Sequence, residues 1–211
     1  MGKVIASIVM VFWAGCALAE GVRIAALGDS LTQGYGLSAE DGFVPQLEAW
    51  LKTQGATVMM INAGVSGDTT AGGLARVAWT LTPNVDAMIV ALGGNDLLRG
   101  IDPDVSRANL NGILKAAQSV DVPVLLIGIQ APGNYGPDYK VAFDAIYPEL
   151  AEQYGALYLN SFFAGLGGPQ AGAVDLSAYF QADGIHPNAQ GVIRIVEGIG
   201  PEVTKLIAAV R

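Results

Sequence analysis

The sequence contains only one cysteine and one histidine in 211 residues. The cysteine, Cys16, lies in an apolar segment near the N-terminus. If this segment is absent from the mature protein, no cysteine remains, which excludes a disulfide framework, a cysteine nucleophile and a thiolate metal site. Because His186 is the only imidazole, a zinc site is unfavourable, and any histidine-dependent catalysis must use this residue.

Charged residues are also scarce, at 14% of the chain, and the net charge is −8. Lysine and arginine form no cluster, so the chain lacks the basic surface that binds nucleic acids or anionic membranes. No Gly-x-Gly-x-x-Gly segment or phosphate-binding loop is present. We therefore expect no nucleic-acid partner, no metal and no cofactor, and nothing indicates an obligate protein partner.

The N-terminus has the pattern of a secretory signal peptide. Lys3 is followed by an uncharged run from Val4 to Cys16 and by Ala-Leu-Ala ending at Ala19, which is typical of a cleaved leader. The apolar run is too short to span a bilayer comfortably. We predict a signal peptide over residues 1–19 and a secreted, periplasmic protein; the alternatives are an uncleaved anchor and lipidation at Cys16.

Strand-length apolar runs alternate with helical patterns over residues 20–211, which we interpret as a single domain. The predicted strands are Val22–Leu27, Thr57–Asn62, Ala87–Leu92, Pro123–Ile127 and Ala156–Leu159. The predicted helices are Phe43–Gln54, Ala71–Leu81, Val105–Ser119, Lys140–Gln153 and Ala189–Val210, the last interrupted near 198–201 because glycine and proline disfavour helix interiors.

The predicted strands are continuously apolar rather than alternating, as in a parallel sheet that is covered on both faces. This pattern indicates an α/β fold, namely a three-layer α/β/α sandwich with about five parallel strands in a flavodoxin-like order. The glycine-rich stretch Phe162–Phe180 is predicted to be a long loop over one end of the sheet.

Polar or glycine-rich segments follow the first three predicted strands, and a fourth precedes the last helix. They are Gly28-Asp29-Ser30, Asn62-Ala63-Gly64-Val65-Ser66-Gly67-Asp68, Gly93-Gly94-Asn95-Asp96 and Asp183-Gly184-Ile185-His186-Pro187. Because sites in open parallel sheets form beyond the carboxyl ends of the strands, we expect these segments to converge on one rim.

Three of these residues have the types that acyl transfer needs. Ser30 would attack a carbonyl, His186 would take its proton, and Asp183 would orient the imidazole. Candidate oxyanion donors are the backbone N–H groups of Ser30 and Gly64 and the side-chain amide of Asn95. Taken singly, each residue also fits a helix cap or an ordinary turn. The acids at 29, 68 and 96 are expected to be turn or supporting residues rather than catalysts.

Together the four segments resemble the conserved blocks of the SGNH hydrolases, also called the GDSL esterase/lipase family. Gly-Asp-Ser-Leu at 28–31 matches the first block, and the segments holding Gly64, Asn95 and Asp183 with His186 match the others. The run that follows the serine is most similar to bacterial arylesterases, acyl-CoA thioesterases and lysophospholipases. The resemblance implies a flavodoxin-like fold, a serine–histidine–aspartate triad and an oxyanion hole with Ser30, Gly64 and Asn95.

The resulting hypothesis is a serine esterase that acts on small-molecule or lipid esters, with thioesterase and lysophospholipase activity. Mostly apolar residues flank the motifs and are expected to line an acyl or aryl pocket: Tyr35, Leu97, Ile101, Tyr179, Phe180 and Ile185, with Leu37 and Leu98 beside them. Two alternatives remain at this point, a carbohydrate O-deacetylase with the same machinery and a non-catalytic binding module on the same fold.

Overall fold

A computed structural model describes residues 21–167 and 176–210, so the predicted signal peptide lies outside the described residues. One sheet contains five strands: β1 Val22–Gly28, β2 Val58–Gly64, β3 Ala87–Ala91, β4 Val124–Ile127 and β5 Leu157–Leu159. All neighbouring strands are parallel, and their order is β2-β1-β3-β4-β5. This is the flavodoxin-like order, and the predicted α/β sandwich is confirmed.

Eight α-helices are present in the described residues: α1 Ser30–Gln33, α2 Phe43–Thr53, α3 Thr70–Thr80, α4 Gly94–Leu98, α5 Pro103–Gln118, α6 Pro137–Asp144, α7 Ile146–Tyr154 and α8 Ala189–Ala209. Short 3₁₀ turns occupy Ala39–Asp41, Gly133–Tyr135, Ala164–Leu166 and Leu176–Tyr179. The sequence pattern missed α1 and α4 because helices of four and five residues carry no readable periodicity.

The sheet has an apolar core on each face, which explains why its strands are continuously apolar. Alternate residues of β3 point in opposite directions, so that Ile89 packs towards α2 and α8 while Val90 packs towards α3, α5 and α7. Both side chains are fully buried. No helix of the described residues is long and apolar enough to cross a membrane.

Two helix predictions differ from the structure. The single helix predicted over Lys140–Gln153 is divided at Ala145 into α6 and α7. Pro148 has no N–H to donate to the carbonyl of Asp144 four residues earlier, so the helical hydrogen-bond ladder cannot continue through this point.

The interruption predicted in the last helix is wrong, because α8 is continuous and contains Pro201. Its glycines are places of close packing rather than helix breaks. A Cβ at Gly198 would collide with the backbone of Gly165, and a Cβ at Gly200 would collide with the ring of Trp50. Pro201 is exposed, so water can bind the carbonyl that its missing N–H leaves free. Tertiary packing here outweighs the low helix propensity of these residues.

Candidate active site

Ser30 lies in the sharp turn between β1 and α1. The carboxylate of Asp29 caps α1 by accepting the N–H of Leu31 at 3.0 Å, which makes Ser30 the first helical residue. Gly28 is required just before this turn, since a Cβ there would collide with the side chain of Thr32. The serine is therefore held directly beyond the carboxyl end of β1.

His186 lies in the tight turn that precedes α8. The Oδ1 atom of Asp183 accepts the N–H groups of Ile185 at 2.9 Å and of His186 at 3.0 Å. Gly184 has a φ of +68° within this turn, in the left-handed region that glycine adopts most readily. The turn folds the carboxylate back onto the imidazole three residues later.

The structure brings Ser30, His186 and Asp183 together in one hydrogen-bonded chain. His186 Nε2 lies 2.8 Å from Ser30 Oγ, and His186 Nδ1 lies 2.7 Å from Asp183 Oδ2. An ionised carboxylate can only accept, so Nδ1 carries the proton and Nε2 is left to accept from the serine hydroxyl.

Asp183 is held in its ionised form. The backbone N–H of His186, its imidazole and the N–H of Ile185 lower the pKa of Asp183 to about 2. Hydrogen bonds to the charged form of a carboxyl group have this effect. The carboxylate is therefore available near neutral pH to stabilise a protonated imidazole.

Asn95 lies in the first turn of α4, close to the carboxyl end of β3. Gly93 precedes α4 with a φ of +121°, and a Cβ at this residue would collide with the hydroxyl of Tyr147. The side-chain Nδ2 of Asn95 donates to Asp29 Oδ2 at 3.3 Å. The structure therefore connects the segment that carries the amide to the segment that carries Ser30.

The carboxyl group of Asp29 is almost completely buried, with 3% of the residue exposed. Burial raises its pKa to about 6, although the N–H of Leu31, the charge of His186 and the amide of Asn95 oppose the shift. When Asp29 is ionised it can only accept hydrogen bonds. It therefore orients the amide nitrogen of Asn95 towards itself and leaves the second Nδ2 hydrogen for another acceptor.

Asp96 anchors the same loop to the helices behind it. Its buried carboxylate accepts the backbone N–H and hydroxyl of Thr70 at 2.9 and 2.6 Å and the hydroxyl of Ser106 at 3.0 Å. These residues belong to α3 and α5, so the start of α4 is fixed from two sides. The residue has the supporting role expected from the sequence.

The oxyanion role predicted for Gly64 is contradicted by the structure. The N–H of Gly64 donates to Oδ1 of Asn62 at 2.9 Å and is not free for a substrate. The backbone of α1 also covers this glycine, since a Cβ on it would collide with Gln33. Glycine is required here by the contact between β2 and α1.

Gly67, later in the same segment, lies beside Ser30 instead. It lines the cavity beside Ser30 and has a φ of +80°, and a Cβ on it would lie in ordinary van der Waals contact with Arg99 Nη2, at 3.8 Å. Its carbonyl accepts from Arg99 Nη2 at 2.8 Å, whereas its N–H meets no acceptor among residues 21–167 and 176–210. The segment contains two glycines and nothing in the sequence pattern distinguishes them, so Gly67 could not be preferred over Gly64.

Arg76 of α3 is a second residue that the sequence analysis missed. Its guanidinium donates to the carbonyls of Gly28 at 2.8 Å and Ala63 at 2.6 Å and to Oδ2 of Asp68 at 2.7 Å. It therefore fixes the carboxyl ends of β1 and β2 and the residue after Gly67. A single arginine in an amphipathic helix gives no sequence signal for such a role.

A cavity of about 560 Å³ opens beside Ser30 and His186. Its walls are mostly apolar and come from the loops after all five strands and from the turn before α8. They include Leu31, Tyr35, Leu97, Leu98, Ile129, Pro132, Tyr135, Phe163 and Ile185, together with the polar residues Asp29, Ser66, Asn95 and Asn134. A larger cavity, of about 720 Å³, lies at the other end of the sheet and contains neither Ser30 nor His186.

The structure places three of the six predicted pocket residues, Tyr35, Leu97 and Ile185, on the wall of this cavity. The other three predicted residues are not on this wall. Tyr179 and Phe180 pack against the core beneath α8, as Leu37 does, and the carbonyl of Ile101 accepts the hydroxyl of Tyr139.

Other wall residues come from segments without a motif, namely Ile129, Pro132, Asn134 and Tyr135 after β4 and Phe163 after β5. Apolar character alone could not distinguish the first, second, fourth and fifth of these from core residues, and a lone asparagine in a loop gives no signal. In the described part of the chain, no three histidine, cysteine, aspartate or glutamate side chains are placed to hold a metal ion.

Comparison with known proteins gives consistent matches. The sequence profile of the GDSL-like Lipase/Acylhydrolase family matches residues 26–192. The chain is 38% identical over 182 residues to Esterase TesA of Pseudomonas aeruginosa, covering 86% of this chain and 87% of the relative. It is 36% identical over 183 residues to Thioesterase 1/protease 1/lysophospholipase L1 of Escherichia coli, covering 86% and 83%. The crystal structure of AlinE4, an SGNH-hydrolase family esterase, superposes with a TM-score of 0.72 at 43% identity, covering 90% and 98%.

We expect Asp29→Asn to change the pH dependence of stability. The pKa of Asp29 is raised from 3.8 to about 6 in the folded protein, so the folded state binds this proton more tightly than the unfolded chain. The stability of the unsubstituted protein relative to the variant should therefore be greatest at low pH and fall by about 2 kcal/mol between about pH 4 and pH 6.

Denaturant unfolding of both proteins between about pH 4 and pH 8 measures this difference. Asp104→Asn, at an exposed carboxylate in the first turn of α5, is the matched control and should give a nearly constant difference. A constant difference for Asp29→Asn as well would contradict the raised pKa.

Proposed function

Because the chain belongs to the GDSL-like lipase/acylhydrolase family, we propose that it is a serine esterase that hydrolyses acyl and aryl esters through an acyl-enzyme. Hydrolysis of ester bonds follows from the family and from the esterases it resembles. The main support for the acyl-enzyme mechanism is the 2.8 Å contact between Ser30 Oγ and His186 Nε2 beside an apolar cavity.

In the acylation step, Ser30 Oγ attacks the ester carbonyl carbon while His186 Nε2 takes the hydroxyl proton. Asp183 accepts from Nδ1 and stabilises the imidazolium that forms. When the tetrahedral intermediate collapses, the bond to the alcohol breaks and the alcohol leaves with the proton from Nε2. The acyl group remains on the serine.

In the deacylation step, a water molecule takes the place of the alcohol. His186 Nε2 removes one proton from this water as its oxygen attacks the acyl carbon. Collapse of the second tetrahedral intermediate breaks the bond to Ser30 Oγ, which recovers its proton from the imidazolium. The carboxylic acid product leaves and the enzyme returns to its starting state.

The negative charge on the carbonyl oxygen needs preorganised donors. The proposed donors are the backbone N–H groups of Ser30 and Gly67 and the side-chain amide of Asn95. Support for Gly67 comes from its uncommitted N–H and its place on the cavity wall, and support for Asn95 from the amide orientation that Asp29 imposes. The predicted donor Gly64 is excluded because Asn62 accepts its N–H.

The cavity favours esters whose acyl or aryl group is apolar. Leu97, Leu98, Ile129, Phe163 and Ile185 are among the apolar residues that line the cavity with Ser30. Burying such groups of a substrate contributes about 25 cal/mol per Å², whereas acetylated sugars would leave this surface largely unused. We therefore favour lipid-like esters, lysophospholipids and thioesters over carbohydrate acetates. The hydrogen-bonded triad disfavours a purely binding role.

The leader predicted over residues 1–19 extends the proposal to an exported enzyme. Acyl-CoA is a cytosolic metabolite, so thioesterase activity would be incidental and exported lipid esters would be the physiological substrates. Fractionation of the producing cells, followed by N-terminal sequencing of the enzyme, should give a periplasmic protein that begins at or near Glu20. A full-length N-terminus in the cytosolic fraction would contradict export.

We expect Ser30→Ala to lower kcat for p-nitrophenyl esters by at least about 10³ because it removes the nucleophile. Ser66→Ala is the matched control, since Ser66 lines the same cavity and its hydroxyl donates to Gln33 instead of to His186. This control should retain most of the activity.

The same assay over esters from acetate to palmitate should give a higher kcat/KM for acyl chains longer than acetyl. Equal rates for the enzyme and Ser30→Ala would exclude Ser30 as the nucleophile. A clear preference for acetate would favour the deacetylase alternative.

Asn95→Ala should lower kcat by about 10² to 10³ with little change in KM, because an oxyanion donor acts mainly in the transition state. Asn134→Ala, which removes an amide from the same cavity wall, is the matched control and should have a small effect. A loss in KM alone for Asn95→Ala would mean that the amide binds substrate and does not stabilise the oxyanion.

A further inference from the structure

Tyr35 packs against the imidazole of His186. The two ring centroids are 4.6 Å apart, and the ring planes are inclined by 38°. Tyr35 is also 51% exposed, so its ring covers the imidazole from the solvent side instead of belonging to the core. Its place on the cavity wall alone would suggest only contact with substrate.

The backbone of Tyr35 is tied to both segments that carry the triad. Its N–H donates to the carbonyl of Ser30 at 3.1 Å. Its carbonyl accepts from Gln181 Nε2 at 2.8 Å, and the same nitrogen donates to the carbonyl of Pro187 at 3.0 Å. The ring is therefore held on the imidazole by contacts that do not involve any substrate.

The ring face distinguishes between the two protonation states of the imidazole. An aromatic face attracts a cation whose centre lies within about 6 Å of the ring centroid, and the separation here is shorter than this. The neutral imidazole experiences no such charge attraction. A side chain of similar size without a ring would cover the imidazole but would not favour its protonated form.

We propose that Tyr35 is a positioning residue for His186, which holds the imidazole between Ser30 and Asp183 and stabilises the imidazolium formed when the serine loses its proton. The inference rests on the proposed function for this proton transfer, but the stabilisation itself is a property of the resting enzyme. Tyr35 thus contributes to the chemistry through His186, beyond any contact with the acyl group.

Within residues 21–167 and 176–210, two other titratable groups interact with the imidazole. Asp183 accepts from its Nδ1, and the charge of Asp29, at the end of β1, interacts with it. Both are unchanged by substitution of Tyr35. Because Asp29 has a pKa of about 6, its titration overlaps that of an imidazole, and the experiment is therefore repeated in an Asp29→Asn background.

The decisive experiment uses the fact that the chain has one histidine. In protein freed of any polyhistidine tag, the single imidazole NMR signal reports His186 alone. We expect the midpoint of its titration to be about half a pH unit lower in Tyr35→Leu than in the unsubstituted enzyme. Tyr35→Phe retains the ring and should give the original midpoint. Tyr35→Met replaces the leucine variant if that protein is unstable.

Kinetics provide the second measurement. Tyr35→Leu should lower kcat for p-nitrophenyl acetate, which is too small to fill the cavity, by about threefold to tenfold, with the acid limb of the pH profile moved to lower pH. Tyr35→Phe should restore both. An unmoved midpoint in Tyr35→Leu, or an equal shift in Tyr35→Phe, would overturn the inference. Activity retained by Ser30→Ala would instead overturn the proposed function, and the NMR result would be unaffected.

Discussion

The position of the site depends on the register of the central strand β1. Gly28 pairs with Gly64 on one side and with Ala91 on the other, so the three strands end at the same level. Because the strands are parallel, the segments that follow them leave the sheet side by side. Ser30 and Asn95 thereby lie on one rim although they are far apart in sequence. A shift of one residue in this register would turn every side chain of the strand towards the opposite core.

The carboxyl groups beside the site have different pKa values because their surroundings differ. Asp183 is partly exposed and accepts three N–H groups, which lower its pKa to about 2. Asp29 is buried, and desolvation outweighs its hydrogen bonds and raises its pKa to about 6. Below that pH, Asp29 becomes a donor and no longer requires the nitrogen of Asn95 to face it. The orientation of the Asn95 amide is thus linked to the ionisation of Asp29.

The fold was predictable from the sequence where the signal is local and repeated. Five apolar runs predicted five strands to within two residues at each end, and their continuity indicated the parallel sheet. The error at Gly198 had a non-local cause, since only the packed structure brings Gly165 against it. By contrast, the division at Ala145 could have been found, because Pro148 stands in the sequence at the required spacing. A glycine in a helical pattern can mark either a break in the helix or a place of close packing, and only the tertiary contact distinguishes the two.

The site was predictable to the extent that its chemistry depends on residue type. A nucleophile, a base and an acid have few substitutes, so Ser30, His186 and Asp183 could be selected from the sequence as candidates, and the structure brings them together. A backbone N–H is carried by every residue except proline, and its role depends on where the chain directs it. For this reason Gly64 and Gly67 were indistinguishable in the sequence, and Arg76, which holds the loop between them, gave no signal. The same reasoning applies to Tyr35, because an aromatic side chain beside a cavity is expected to bind substrate until its ring is found against the imidazole.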